Sequence, residues 1–143
     1  MLVASLQTEF DHTDPISFAP HLLADPLPGA GLKQVVLQES IDDAQVPNLS
    51  TRILARTIGL SALGTVQPVY GITQVAGPLP SAYTQWDRHI TPPPPTTNVP
   101  APSDNGAHGA IQEIPELLDQ IRQFLQPGGP VVNTCPGGTC DFP

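Results

Sequence analysis

The chain has 143 residues, of which 39% are hydrophobic and 13% are charged, and this length suits one ordinary domain. Its net charge is -8, from 13 acidic and 5 basic residues. The basic residues form no cluster, so we expect no nucleic-acid partner, because phosphate binding depends on such clusters. No apolar stretch approaches the roughly 20 residues of a membrane-spanning helix, so we expect no membrane span.

The first half of the chain predicts a strand–helix–strand unit. Proline and glycine turn signals make residues 1–31 loop-like. The apolar run within Lys33–Leu37 predicts a strand that is buried on both faces. A second strand is predicted over residues 65–75, which are rich in β-branched side chains. A helix between two such strands implies parallel pairing through a right-handed crossover.

Two longer helices are predicted from apolar spacing. The first begins near Thr51, with Asn48 or Ser50 as its cap, and Gly59 ends it. The second covers Pro115–Gln126, because proline suits the first helical turn and a Pro-Gly-Gly-Pro run follows. We expect this second helix to lie on a sheet.

Residues 77–107 form a long proline-rich span without predicted regular structure. Loops of this length inside a domain are commonly functional or disordered. One expectation is that the span, with Tyr83 and Trp86, forms a wall or lid over a site. The alternative is a surface linker in polyproline II conformation.

Cys135 and Cys140 enclose the sequence Pro-Gly-Gly-Thr. The two glycines allow the tight reversal of a short disulfide loop. Free thiols are an alternative, and a metal site is another, although zinc normally takes four ligands. A disulfide implies an oxidising compartment, so we expect an extracellular or periplasmic location. Met1–Phe10 does not resemble a signal peptide, so either the protein is cytoplasmic or Met1 is internal to a longer, exported chain.

Two phrases resemble the last third of bacterial α/β-hydrolases of the esterase and lipase type, which are often exported. Asp43-Ala-Gln-Val-Pro47 matches an Asp-x-x-Val-Pro stretch that follows the penultimate strand in that superfamily. His108, in Asn-Gly-Ala-His-Gly, stands where the family histidine precedes the closing helix. The resemblance covers about residues 10–126. It implies an α/β fold whose sheet is parallel and incomplete, with the order strand, helix, strand, long loop, helix.

The resemblance implies that Asp43 is the acid and His108 the base of a catalytic triad, with Asp42 as the alternative acid if the register differs by one. We therefore divide the chain into a hydrolase-like segment, 1–126, and a tail, 127–143, that carries the disulfide. We expect no cofactor and no metal.

The nucleophile of such a triad is absent from the chain, because no Gly-x-Ser-x-Gly sequence occurs in it. The stretch Gly59–Gly64 has the wrong spacing. We expect a C-terminal part of a serine hydrolase that is inactive alone. Completed by an N-terminal part, it would act on a small-molecule or lipid ester.

Each of these assignments has a simpler alternative. Asp43 could be an ordinary turn residue, and His108 an ordinary loop histidine. The chain could be a secreted or surface module that binds other molecules without catalysis, or a degenerate hydrolase fold kept for binding. His12, His21 and His89 have no matching partner pattern, and the histidine and aspartates near residue 12 do not have metal-ligand spacing.

Overall fold

The computed structural model of the protein describes residues 2–97 and 99–142; the predicted span 77–107 and tail 127–143 each include one position outside these ranges. The elements, in chain order, are α1 Leu2–Phe10, α2 Pro15–Phe18, α3 Pro20–Leu23, β1 Val36–Ser40, α4 Asn48–Ile58, β2 Ala62–Leu63, β3 Ala82–Trp86, α5 Ala107–Ala110, a 3-10 turn Ile111–Glu113, α6 Pro115–Phe124 and a 3-10 turn Pro136–Gly138.

The three strands form one parallel sheet in the order β1-β3-β2. Val36 lies opposite Ala82 and Ser40 lies opposite Trp86 in the register of β1 on β3. The predicted α/β class with a small parallel sheet is therefore confirmed. We had expected the two strands that α4 joins to pair with each other. They do not, because β3 lies between β1 and β2.

The central strand lies where the sequence predicted irregular structure. All five residues of β3 are buried, and Tyr83 and Trp86 are fully buried, so they are not a wall or lid on the surface. Two polar residues between them obscured the strand. Thr84 accepts a hydrogen bond from Trp86 Nε1 at 3.0 Å, and Gln85 donates to the Tyr83 hydroxyl at 2.9 Å, so both can lie in the core without unpaired polar atoms.

Two other strand predictions need correction. β1 covers 36–40 rather than Lys33–Leu37, because Glu39 and Ser40 are buried and hydrogen-bonded although the sequence read as loop there. Residues 65–75 do not form a strand; within them only an isolated bridge joins Gln74 to Ala62. Pro68 interrupts this stretch, since it has no backbone donor for a central ladder.

The helices cover both faces of the sheet. α4 ends at Gly59, as predicted, in a left-handed conformation with φ 86°. α6 begins at Pro115, as predicted, and ends two residues early at Phe124. Residues 2–31 contain three helices rather than loop alone, so the expectation of a loop-like N-terminus was wrong.

Successive side chains of β3 face opposite layers. Tyr83 packs with Ala55 and Ile58 of α4 on one face. Trp86 packs with Leu117 of α6 and with both cysteines on the other face. The sheet therefore lies between two helical layers, and a further buried cluster packs Ala82 of β3 with Leu63 of β2 and Val131.

The disulfide between Cys135 and Cys140 is confirmed, and it fits an oxidising compartment. Over the described ranges, every helix is too short or too polar to cross a bilayer.

Candidate functional site

Asp43 and His108, 65 positions apart, meet at the edge of the sheet. His108 Nδ1 lies 2.7 Å from Asp43 Oδ2. The Asp43 side chain is 6% exposed and the His108 side chain is 44% exposed. The predicted proximity of the two groups is confirmed, whereas their catalytic roles stay predictions.

The carboxylate of Asp43 is oriented by its own loop. Its Oδ1 atom accepts hydrogen bonds from the backbone N–H groups of Gln45, at 2.8 Å, and Val46, at 2.9 Å. Oδ2 is left for His108. An ionised carboxylate only accepts hydrogen bonds, so His108 Nδ1 carries the hydrogen and, in the neutral imidazole, Nε2 keeps its lone pair.

Hydrogen bonds tie the acid loop to the histidine loop. Asn105 Nδ2 donates to the backbone oxygen of Asp42 at 2.8 Å. Ser40, the last residue of β1, donates its hydroxyl to the backbone oxygen of Ala107 at 2.7 Å. These bonds hold the residues on either side of the Asp43–His108 contact, so the contact does not depend on the two side chains alone.

Asn48 and Asn105 have roles that sequence reasoning missed. Asn48 was predicted as a helix cap, but it lies in the first turn of α4 and its Oδ1 accepts the backbone N–H of Asp42 at 2.9 Å. Asn105 bridges the loops as described above. The signal was present, because Asn48 directly follows the phrase that carries Asp43 and Asn105 belongs to the phrase that carries His108.

His108 is one of the residues that line a cleft. Within the described ranges, His108 Nε2 has no hydrogen-bond partner. His108 lines a cleft of about 570 Å³ together with Asp43 and Ser40. Because the Ser40 hydroxyl is engaged with Ala107, it is not aimed at Nε2. The cleft is thus lined by the hydrogen-bonded Asp43–His108 pair, and the Ser40 hydroxyl is engaged elsewhere.

The cleft runs along the outer edge of β1. Gln38, Glu39 and Ser40 all line it, although successive strand residues point to opposite faces. Three consecutive lining residues therefore mean that the cleft follows the strand edge rather than one face. Leu118 and Ile121 of α6 give it an apolar wall. In the part of the chain that the structure describes, β1 pairs with β3 alone, which makes it an edge strand.

Asp42, the alternative acid, does not bond to His108; it has a left-handed backbone with φ 59°. Burial raises the pKa of its carboxyl above its usual value, and the charge of Asp87 raises this pKa further. Together these two causes outweigh Arg52 and His89, which lower the pKa. The structure therefore favours Asp43 over Asp42 as the partner of the histidine.

Replacing Asp42 by Asn is expected to raise the free energy of unfolding at neutral pH. The pKa of Asp42 is higher in the folded state than in the unfolded state. Below the unfolded-state pKa the carboxyl is protonated in both states, so it does not lower the free energy of unfolding there. The wild type loses stability as pH rises from the unfolded to the folded pKa, and Asn, which tolerates positive φ, avoids this loss. Urea unfolding of both proteins at about pH 7 and about pH 3 checks this. An equal advantage at both pH values would contradict it.

His89 has partners that the sequence did not reveal. Its Nε2 lies 2.6 Å from Asp141 Oδ1, and its Nδ1 lies 3.8 Å from Asp87 Oδ1. The only sequence signal was the Asp-x-His spacing of residues 87 and 89, since Asp141 is 52 positions away. His21 lies near one carboxylate, that of Asp25, at 3.3 Å.

With the fold and the site in place, comparison with known proteins adds no relative: no family model, no curated protein and no solved structure matches the chain.

Proposed function

We propose that the chain is the C-terminal part of a serine hydrolase of the α/β-hydrolase type, and that it supplies the acid and the histidine of the triad. Asp43 orients His108, and His108 removes the proton of a serine hydroxyl and later protonates the leaving group. The serine comes from sequence outside this chain, because none of its serines lies in a Gly-x-Ser-x-Gly elbow.

The observation that carries the proposal is the hydrogen bond between the imidazole of His108 and the buried carboxylate of Asp43. Asp43 accepts from Nδ1 at 2.7 Å, and two backbone N–H groups fix the carboxylate in that orientation. Nε2 is thereby the basic nitrogen, and it belongs to a side chain that is 44% exposed and lines the cleft. A histidine that served only to pack a loop would not need a buried carboxylate on one nitrogen and an unpartnered lone pair on the other.

The edge of β1 supports the idea that the nucleophile is on a neighbouring strand. Parallel strands deliver their carboxyl-terminal loops to the same edge of a sheet. Asp43 follows β1 directly, and the cleft that His108 lines runs beside the outer edge of β1. A strand added there in parallel brings its own terminal loop beside His108 Nε2.

The reaction is acyl transfer to water, on an ester or a similar carboxylic derivative. This substrate class rests on the resemblance of the Asp43 and His108 phrases to esterase- and lipase-type hydrolases. The apolar wall of the cleft, formed by Leu118 and Ile121 with Ile111, suits a substrate with an apolar acyl group.

A fluorophosphonate, which phosphonylates only activated serines, tests the proposal. The protein is prepared as its natural gene encodes it, with any sequence upstream of this chain, and the 143-residue chain is prepared separately. We expect labelling of the natural protein at a serine that lies upstream, and no labelling of the separate chain. Absence of an upstream serine that reacts, or labelling of the separate chain, would overturn the proposal.

A further inference from the structure

Three potential metal ligands from two distant segments converge at the end of β3. Asp87 and His89 follow the strand directly, and Asp141 comes from the C-terminal segment. One ligand atom of each residue lies within 4.8 Å of the others, and His89 Nε2 lies 2.6 Å from Asp141 Oδ1. Asp43 and His108 belong to other loops and are not members of this group.

The backbone holds the three residues together. Asp87 N–H donates to the backbone oxygen of Cys140 at 2.9 Å, and Phe142 N–H donates to the backbone oxygen of Asp87 at 2.9 Å. The disulfide fixes Cys140, and the Phe142 ring stacks on Trp86 with centroids 6.1 Å apart. Asp141 is therefore positioned beside Asp87 by bonds on both sides, and little ordering remains to be done when a ligand binds.

The two carboxylates at this place have no salt bridge to a lysine or an arginine among the described residues. Across residues 2–97 and 99–142, no lysine or arginine forms an ion pair with Asp87 or Asp141, and Arg88, which lies between two of the ligands in sequence, makes none. The side chains of His89 and Asp141 are 57% and 47% exposed, so an ion can reach them from solvent. Asp42 is also near enough to repel Asp87 electrostatically.

We propose that Asp87, His89 and Asp141 bind a divalent transition-metal ion of the Zn²⁺ type and that this ion clamps the C-terminal segment to the end of β3. One imidazole nitrogen and two carboxylates are a donor set for borderline cations such as Zn²⁺, with water completing the coordination. Ligands at about 2.0–2.1 Å from a tetrahedral ion are about 3.3 Å apart. The His89–Asp141 pair is closer than this, and the exposed ring can move outward by the difference.

Calorimetric titration of the 143-residue chain with Zn²⁺ tests the proposal, after any affinity tag has been removed and thiol titration has shown that the disulfide is intact. We expect one bound ion per chain. His89→Gln is expected to weaken binding at least about tenfold, since even the loss of an outer-shell partner has that effect. Asp141→Asn, which lies outside the sheet, is the second variant and is expected to weaken binding similarly.

His21→Gln is the matched control, because His21 also lies beside a carboxylate but has no second one. It is expected to leave Zn²⁺ affinity unchanged, and circular dichroism establishes that each variant is folded. Absence of binding to the wild type, unchanged affinity in both folded ligand variants, or loss of the bound ion on His108→Gln instead would overturn the assignment. Success or failure here does not bear on the acid–histidine pair, which is assayed by a different reagent.

Discussion

Asp43→Asn is expected to reverse the tautomer of His108 and, in the intact hydrolase that we propose, to lower kcat by about 10⁴-fold, the size of the effect known for this change in a serine protease triad. Asp43 Oδ1 accepts two backbone N–H groups, so in the variant the amide oxygen keeps that place and the amide nitrogen takes the place of Oδ2. An NH₂ group then faces His108 Nδ1, which must accept. The hydrogen moves to Nε2, and the basic lone pair is lost from the cleft.

The tautomer can be measured on the chain itself, without the nucleophile. Nitrogen-15 NMR of the imidazoles distinguishes a protonated from an unprotonated ring nitrogen, and we expect Nδ1–H in the wild type and Nε2–H in Asp43→Asn. Asp42→Asn is the matched control, since Asp42 makes no hydrogen bond to His108, and it should leave the Nδ1–H tautomer in place. A change of tautomer in Asp42→Asn but not in Asp43→Asn would mean that Asp42, and not Asp43, orients the His108 ring.

His108→Ala gives the reference for the activity measurement in the proposed intact hydrolase. It removes the base altogether, so its loss of activity is expected to be at least as large as that of Asp43→Asn. If Asp43→Asn were nearly as active as the wild type while His108→Ala was inactive, the carboxylate would have no part in orienting the ring.

The pairing of Asp43 with His108 could be predicted because both residues lie in short phrases with recognisable neighbours. Polar residues in or next to those phrases form the turns: Asn48 accepts from the backbone N–H of Asp42, and Asn105 donates to the backbone oxygen of Asp42. Local sequence was sufficient here because the geometry is made by residues a few positions from each side chain.

The strands were harder to predict because their polar residues are satisfied by distant partners. β3 contains Thr84 and Gln85, and β1 contains Glu39, all of them buried. Gln85 donates to Glu39, which is 46 positions earlier. A periodicity argument treats such residues as solvent-facing, since burial of a polar group is favourable only once its partner is known.

The cluster around His89 was missed for the same reason in a stronger form. Its third member, Asp141, arrives through a backbone bridge to Asp87 and through the disulfide loop. Neither the bridge nor the convergence of the side chains has a counterpart in spacing along the chain. Contacts of this kind are made by the tertiary fold. The sequence shows the separate residues but gives no sign that they lie together.

Replacing Arg52 by Leu is expected to lower the free energy of unfolding by about 3–5 kcal/mol, toward the lower end because Arg52 is itself partly exposed. Arg52 of α4 donates to Glu39 of β1 from Nε at 3.0 Å and from Nη2 at 2.8 Å. The Glu39 side chain is fully buried and that of Arg52 is 24% exposed. Burial lowers the pKa of the guanidinium, but Glu39 and, to a smaller extent, Tyr83 together outweigh burial and raise this pKa. Without Arg52, the carboxylate stays in the core with its charge uncompensated.

Urea unfolding of Arg52→Leu and of a surface control, Arg122→Leu, measures the difference. The Arg122–Asp119 pair spans 3.4 Å with both side chains largely exposed, and such pairs contribute about 0–1 kcal/mol. Adding Glu39→Gln to Arg52→Leu removes the buried charge, so the double variant is expected to recover part of the lost stability. An Arg52→Leu protein no less stable than Arg122→Leu would mean that the charge of Glu39 is compensated by Gln85 and Tyr83 alone.

Because β1 leads directly into the loop that carries Asp43, the loss of stability in Arg52→Leu should also broaden the NMR signals of the His108 ring.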